Sequence, residues 1–202
     1  MIAFLKIQDM KSKLLLLIVG VIVAMLIALT FQSCKKDEIQ PVQMILGGDV
    51  ESGISLPTEW WFNTGQNNYT VTWTEEQSFS PKKSLKMSTQ TMNANDFAFW
   101  AQTISTNIPV GRDVTPKVKV KANLSGQGIS IVIRGDDTVI SDGSADQFKT
   151  TQGIFRLGTF DWKEQSIKMT KVGENIKSLT VYLVYLPNTT GEVYFDDISL
   201  TY

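Results

Sequence analysis

No window from Met44 to Tyr202 holds apolar residues at helical spacing for three turns, whereas alternation at every second residue recurs along the whole stretch. A chain that can show an apolar face only with a period of two has to build sheets, and nothing else in the sequence limits the fold as much. Thr115–Ala122 places its valines on one face and its lysines on the other, as a half-buried strand does. Ile129–Arg134 follows after the turn-rich Ser125-Gly126-Gln127-Gly128. Leu179–Tyr185 and Val193–Leu200 are joined by Pro187-Asn188-Thr189-Thr190-Gly191, a short connection containing Gly that predicts a hairpin. Tyr69–Thr74, Ser84–Ser88, Phe97–Ile104, Ile154–Leu157 and Gln165–Met169 are the remaining strand candidates. Short strands separated by turn signals, with no internal repeat, predict one all-β domain over 44–202. The expected architecture is a two-sheet β-sandwich or jelly roll, closed enough to protect its edges.

Composition then restricts the chemistry. The chain has no His and a single Cys, which removes Ser-His-Asp and Cys-His catalysis, zinc held by His or Cys, and any internal disulfide. Nineteen Lys+Arg against 20 Asp+Glu give a net charge of −1, so no basic surface is present to hold a nucleic-acid backbone. Carboxylate chemistry, a hard cation on oxygen ligands, or binding without chemistry remain. Glycoside hydrolysis needs two carboxylates facing each other across about 5–10 Å. Glu75-Glu76 and Glu164 lie in apparent loops with nothing to mark a cleft, so the expectation is a protein that is not an enzyme.

The N-terminal part is an address. An apolar run from Leu14 to Phe31 is preceded by Lys11 and Lys13 and followed by Ser33 and Cys34, the three parts of a secretory signal. The cysteine directly after a small residue resembles a bacterial lipoprotein signal, although Phe31 and Gln32 depart from its usual aliphatic and small residues. The resemblance implies a signal peptide over 1–33, an acylated Cys34, and a charged, polar tether over 34–43. Lys35 after the cysteine points to the outer membrane or cell surface rather than retention at the inner membrane. Two or three acyl chains on the cysteine would make that membrane attachment firm. The run is also long enough for a single transmembrane anchor, and Met10-Lys11-Ser12-Lys13 makes a more usual start than Met1.

A resemblance to a known group appears at both ends of the domain. Gly47-Gly48-Asp49-Val50-Glu51-Ser52-Gly53, followed by Pro57 and Trp60, is similar to the opening of carbohydrate-binding modules of families 4, 9 and 22. Phe79-Ser80-Pro81-Lys82-Lys83-Ser84-Leu85-Lys86 resembles their "S-G-x-x-S-L-K" segment, with Pro81 in place of Gly. Trp100-Ala101-Gln102-Thr103-Ile104 resembles the strand that follows, and Val193–Leu200 the closing "Y-I-D-D-V-S-L" strand. The resemblance implies a galactose-binding-like jelly roll, with Trp60 in its core. It also implies a structural calcium held by the carbonyls of Gly48 and Lys83 and by Glu51 and Asp196, with Asp49 and Asp197 in reserve. Calcium takes six to eight hard oxygens, which carboxylates and carbonyls supply. Asp196 and Asp197 can also simply flank a bulge, bonded to backbone amides.

Rings are the remaining candidates for function. Sugars offer apolar C–H faces to exposed aromatic rings, while amides and charged groups bond their hydroxyls. In the strand around Trp100, Phe97 and Phe99 share one face, and Ala98, Trp100 and Gln102 the other. Trp100 beside Gln102 is read as a stacking platform with an amide, completed by Tyr182 and by Arg134, with Arg156 as a second arginine. Arg134-Gly135-Asp136 spells an integrin tripeptide, for which a bacterial lipoprotein has no use. Two functions follow. One is a lipid-anchored protein that binds a polysaccharide or oligosaccharide. The other is a structural or interaction lipoprotein with a protein partner that keeps the jelly roll but not sugar binding.

Overall fold

The structure is a computed structural model and describes residues 40–66, 68–138, 145–152 and 158–202. Cys34, the signal and most of the tether, the strand expected at Ile154–Leu157 and Arg156 lie outside the described residues. Pro41–Tyr202 forms one compact unit, with ten strands among the described residues. They are β1 Trp61–Asn63, β2 Thr70–Thr74, β3 Ser84–Thr89, β4 Ala98–Ile104, β5 Thr115–Gly126, β6 Ile129–Asp136, β7 Gln147–Thr150, β8 Thr159–Ser166, β9 Ser178–Tyr185 and β10 Thr189–Thr201. They form two antiparallel five-stranded sheets, ordered β2-β3-β10-β5-β8 and β1-β4-β9-β6-β7. The all-β sandwich expected from the alternation is the fold observed.

The two longest apolar runs take the central places, because a central strand is covered on both edges and on its inner face. In β10, Val193, Phe195, Ile198 and Leu200 point inward, with a register shift between Asp196 and Ser199 that keeps Ile198 on the inner side. In β9, Leu179, Val181, Leu183 and Tyr185 are buried. Leu85, Met87, Trp100 and Ile131 fill the space between the sheets, so two period-two strips have closed on each other.

Three expectations need correction. The hairpin between Leu179–Tyr185 and Val193–Leu200 does not form, because β9 and β10 belong to different sheets. Their connection is a corner that crosses the sandwich beside the β5–β6 crossing. Leu186 N donates to Gly128 O, and Gly128 N to Thr189 Oγ1. Gly191 is not a turn residue either. It lies within β10 at φ 104°, where an added Cβ would meet the carbonyl oxygen of Asn123 at 2.0 Å. Next, the strand expected at Gln165–Met169 lies earlier, as β8, while Met169 forms an isolated bridge with Val114. Edge strand β8 has no buried residue, so its apolar alternation is faint; the short edge strands β1 and β7 are silent for the same reason. Finally, the tether expected over 34–43 ends sooner. Val42 and Tyr202 exchange backbone hydrogen bonds at 3.1 and 3.3 Å, and Gln43 bridges Thr201.

Candidate functional site

The two outer faces of the sandwich differ in chemistry. On the β2-β3-β10-β5-β8 sheet the outer face is laced with ion pairs, Lys86 with Glu76 and Glu192, Lys117 and Lys119 with Glu164, and Lys121 with Asp161. Such a face is satisfied by itself and by water. The outer face of the other sheet is a bed of rings. Register sets Trp61, Ala101, Tyr182, Val132 and Thr150 in one row, with Phe99, Val184 and Ser130 in the next. Arg134 stands opposite Phe148 on the far side.

The rings pack on one another while keeping faces open. Phe99 meets Trp61 edge-on at 5.3 Å and Tyr182 at 5.2 Å, and stacks with Phe97 at 6.1 Å. Trp61, Phe97 and Phe148 are 41%, 48% and 54% exposed. Phe97, Phe99, Phe148, Tyr182, Arg134 and Gln152 contribute to an open groove of about 490 Å³. A contiguous exposed ring surface of this kind is a binding-site signature.

The stacking platform expected at Trp100 and Gln102 lies on the inner side of β4. Trp100 is 0% exposed, packs against Phe62 at 4.9 Å, and donates through Nε1 to Lys86 O across the sandwich. It cannot offer a ring face to any ligand. Gln102 shares its side and is 2% exposed. Its amide forms a closed pair with Leu46, Oε1 accepting from the N–H and Nε2 donating to the carbonyl, each at 2.8 Å. Gln102 pins the N-terminal segment rather than binding a hydroxyl. The alternation along this strand holds, and the parity of Phe97 and Phe99 faces outward. Phe148 carries no signal in the sequence because it lies on a short edge strand without periodicity, and Trp61, a candidate only as one of the five tryptophans, lies on another such strand.

Tyr182 and Arg134 do lie on the outer face. Burial pushes the Tyr182 hydroxyl above its ordinary value, so it remains a protonated donor. Arg134 grips Asp136 two residues along the same strand, with Nε at 2.9 and 3.0 Å from the two carboxylate oxygens and Nη2 at 2.8 Å. The intervening Gly135 points inward against Ile176, so the tripeptide is an ordinary stretch of β6.

The residues expected to hold calcium also converge. Ser80 Oγ donates to Asp196 Oδ1 at 2.7 Å and lies 3.0 Å from Asp49 O and 3.3 Å from Glu51 Oε1. Protein hydrogen bonds engage these groups closely. Fully buried Asp196 accepts Phe79 N and Ser80 N on Oδ2, and Ser80 Oγ and Asp197 N on Oδ1. Burial pushes its carboxyl above the ordinary value, while these donors pull it down. Glu51 Oε1 accepts Lys82 N and Lys83 N at 2.9 Å each. Burial opposes its ionisation, but those amides hold its carboxyl below the usual range. The Gly48 carbonyl accepts Ile198 N at 2.7 Å, and Asp197 is exposed at φ 47° on the bulge. Lys83 Nζ lies over the Trp73 ring at 3.5 Å. Among the described residues no three acidic, His or Cys side chains converge to hold a metal.

No protein-family model and no curated protein sequence matches the chain. Solved structures do match its fold. A cyclase from Fischerella sp. TAU aligns at TM-score 0.58 and 13% identity, over 80% of this chain and 96% of that one. The enzymatically active domain of bacteriophage CBA120 tailspike protein 4 aligns at TM-score 0.58 and 14% identity, over 79% of this chain but only 21% of that one. The CBM22-1–GH10 modules of Clostridium thermocellum endo-1,4-β-D-xylanase 10B, complexed with xylohexaose, align at TM-score 0.50 and 16% identity over 80% of this chain and 28% of that one. At such identities the likeness establishes a shared sandwich fold, which catalytic and carbohydrate-binding proteins both use.

Proposed function

We propose that the domain is a glycan-binding module without catalytic activity, held at the outer membrane or cell surface by lipid on Cys34. The single observation that carries the reading is the row of open rings on the outer face of the β1-β4-β9-β6-β7 sheet, with Trp61, Phe97 and Phe148 each more than two-fifths exposed. Pyranose C–H faces stack on such rings, and Tyr182, Arg134 and Gln152 border them with hydrogen-bonding groups. The fold shared with part of the CBM22-1–GH10 modules of a xylanase, which together are complexed with xylohexaose, makes a neutral β-linked chain the first ligand to try. Binding without chemistry agrees with the groove, whose described lining carries rings and aliphatic groups but neither Asp nor Glu. Neighbouring Asp136 is clamped by Arg134. Hydrolysis would need two opposed carboxylates there.

The test is affinity electrophoresis of the full chain in detergent through gels containing xylan, cellulose-type and mannan polysaccharides. Stacking plus a few hydrogen bonds gives millimolar to micromolar affinity, roughly 4–8 kcal/mol. Phe97→Ala and Phe148→Ala should each abolish retardation while leaving the thermal unfolding curve in place. Retardation that survives both substitutions would remove this face as the site.

A protein partner is the second reading. Val132, Val184, Leu186 and Pro187 line the same groove and make it more aliphatic than a sugar requires. A blank polysaccharide screen, with a cell-surface partner whose cross-linking is lost in Phe97→Asp, would favour it.

A further inference from the structure

We infer that the junction of the 48–51 segment, the 79–83 loop and the β10 bulge is closed by hydrogen bonds to two carboxylates and needs no divalent cation. The donors come from one short loop in an ordered way. Phe79 and Ser80 give their N–H groups to Asp196, and Lys82 and Lys83 give theirs to Glu51. Between them stands Pro81, the one residue of the five that has no N–H to leave unsatisfied. The loop therefore lays a nest of amides against both carboxylates. A carboxylate has about four lone-pair sites. Asp196 uses four, through Phe79 N, Ser80 N, Ser80 Oγ and Asp197 N, at 2.7 to 2.8 Å.

Those bonds oppose a cation in two ways. Calcium needs six to eight oxygens at about 2.3–2.6 Å, and the Asp196 oxygens could reach it only by giving up their donors. The amide hydrogens also turn their positive ends toward the carboxylate oxygens that would have to ligate the cation. The amides and hydroxyl thus do for the buried Asp196 carboxylate what a metal would otherwise do, since a buried carboxylate must be paired or hydrogen-bonded. The same loop sets Phe79 against Trp162 at 6.0 Å, so the latch fixes surface residues as well.

The experiment is thermal unfolding of the full chain in detergent, in millimolar calcium and in excess EDTA, with metal analysis of the purified protein. Superimposable curves and no stoichiometric metal are expected. A melting temperature that falls on chelation, or one calcium per chain, would overturn the inference. Ser80→Ala keeps the fold while removing the hydroxyl of the latch, and should lower the melting temperature by roughly 2–6 °C, equally with calcium and with EDTA. Recovery of that loss by calcium alone would mean that a cation holds the junction.

Discussion

Trp100 and Phe148 both lie in the β1-β4-β9-β6-β7 sheet, and their environments set opposite consequences for truncation. Trp100 is closed in the core and donates to Lys86 O, so Trp100→Ala should lower stability by about 3–5 kcal/mol, read from urea unfolding. Phe148 is 54% exposed on an edge strand, and Phe148→Ala should leave the urea midpoint unmoved. Equal losses for the two variants would contradict the assignment of faces. Gln102→Ala belongs with Trp100, because it strands both the N–H and the carbonyl of Leu46 and should cost roughly 1–3 kcal/mol. Gly191→Ala should also destabilise, since the carbonyl of Asn123 on paired strand β5 fills the space a methyl would need.

At the scale of elements, the ladder on the outer face of the β2-β3-β10-β5-β8 sheet gives stability a pH dependence. Lys86, on β3, is largely covered by Glu76, Glu192 and Tyr194. The hydrogen bond from Lys86 holds the Glu76 carboxyl below its usual 4.5. A group whose pKa is depressed on folding contributes stability that is complete above its unfolded value and is lost as pH falls through its folded one. The wild type should therefore lose part of its urea midpoint as the pH drops below 4.5, and Glu76→Gln should remove that component while lowering the midpoint at neutral pH. Glu76 is more than half exposed, so screening keeps the effect small and added salt should shrink it. An acid limb identical in the two proteins would show that the pair contributes nothing.

For the whole molecule, the boundary of the folded unit decides how it can be studied and how it is held. Gln43 Oε1 accepts from Met44 N, Ile45 N and Leu200 N, tying the entry of the chain to its last strand. A fragment that starts at Met44 should be less stable than one that starts at Pro41, by roughly 1–3 kcal/mol, and calorimetry of the two compares them directly. Upstream of this boundary, Cys34→Ser should release the protein from the membrane fraction or leave a larger, unprocessed precursor. A variant still cut to the same size and still partitioning with detergent would remove the lipid anchor from the proposed function.

The sequence alone was sufficient for everything that depends on local periodicity and on which residue types exist. Alternation showed the strands of Thr115–Ala122, Ile129–Arg134 and Leu179–Tyr185, and the missing His excluded whole classes of chemistry. That the opening segment, the segment before Leu85 and Asp196 meet came from the resemblance to carbohydrate-binding modules rather than from periodicity, and Ser80 joins Asp49 to Asp196 there. Two kinds of fact were decided only by the tertiary structure. A period of two defines two faces but does not say which turns inward, and that choice belongs to the opposing sheet: β3 lies across the sandwich from Trp100, so Phe97 and Phe99 were left outside. The role of a buried carboxylate is likewise set by what approaches it from far along the chain. Asp196 is a hydrogen-bond acceptor here because the amides of Phe79 and Ser80, more than a hundred positions away, are turned toward it.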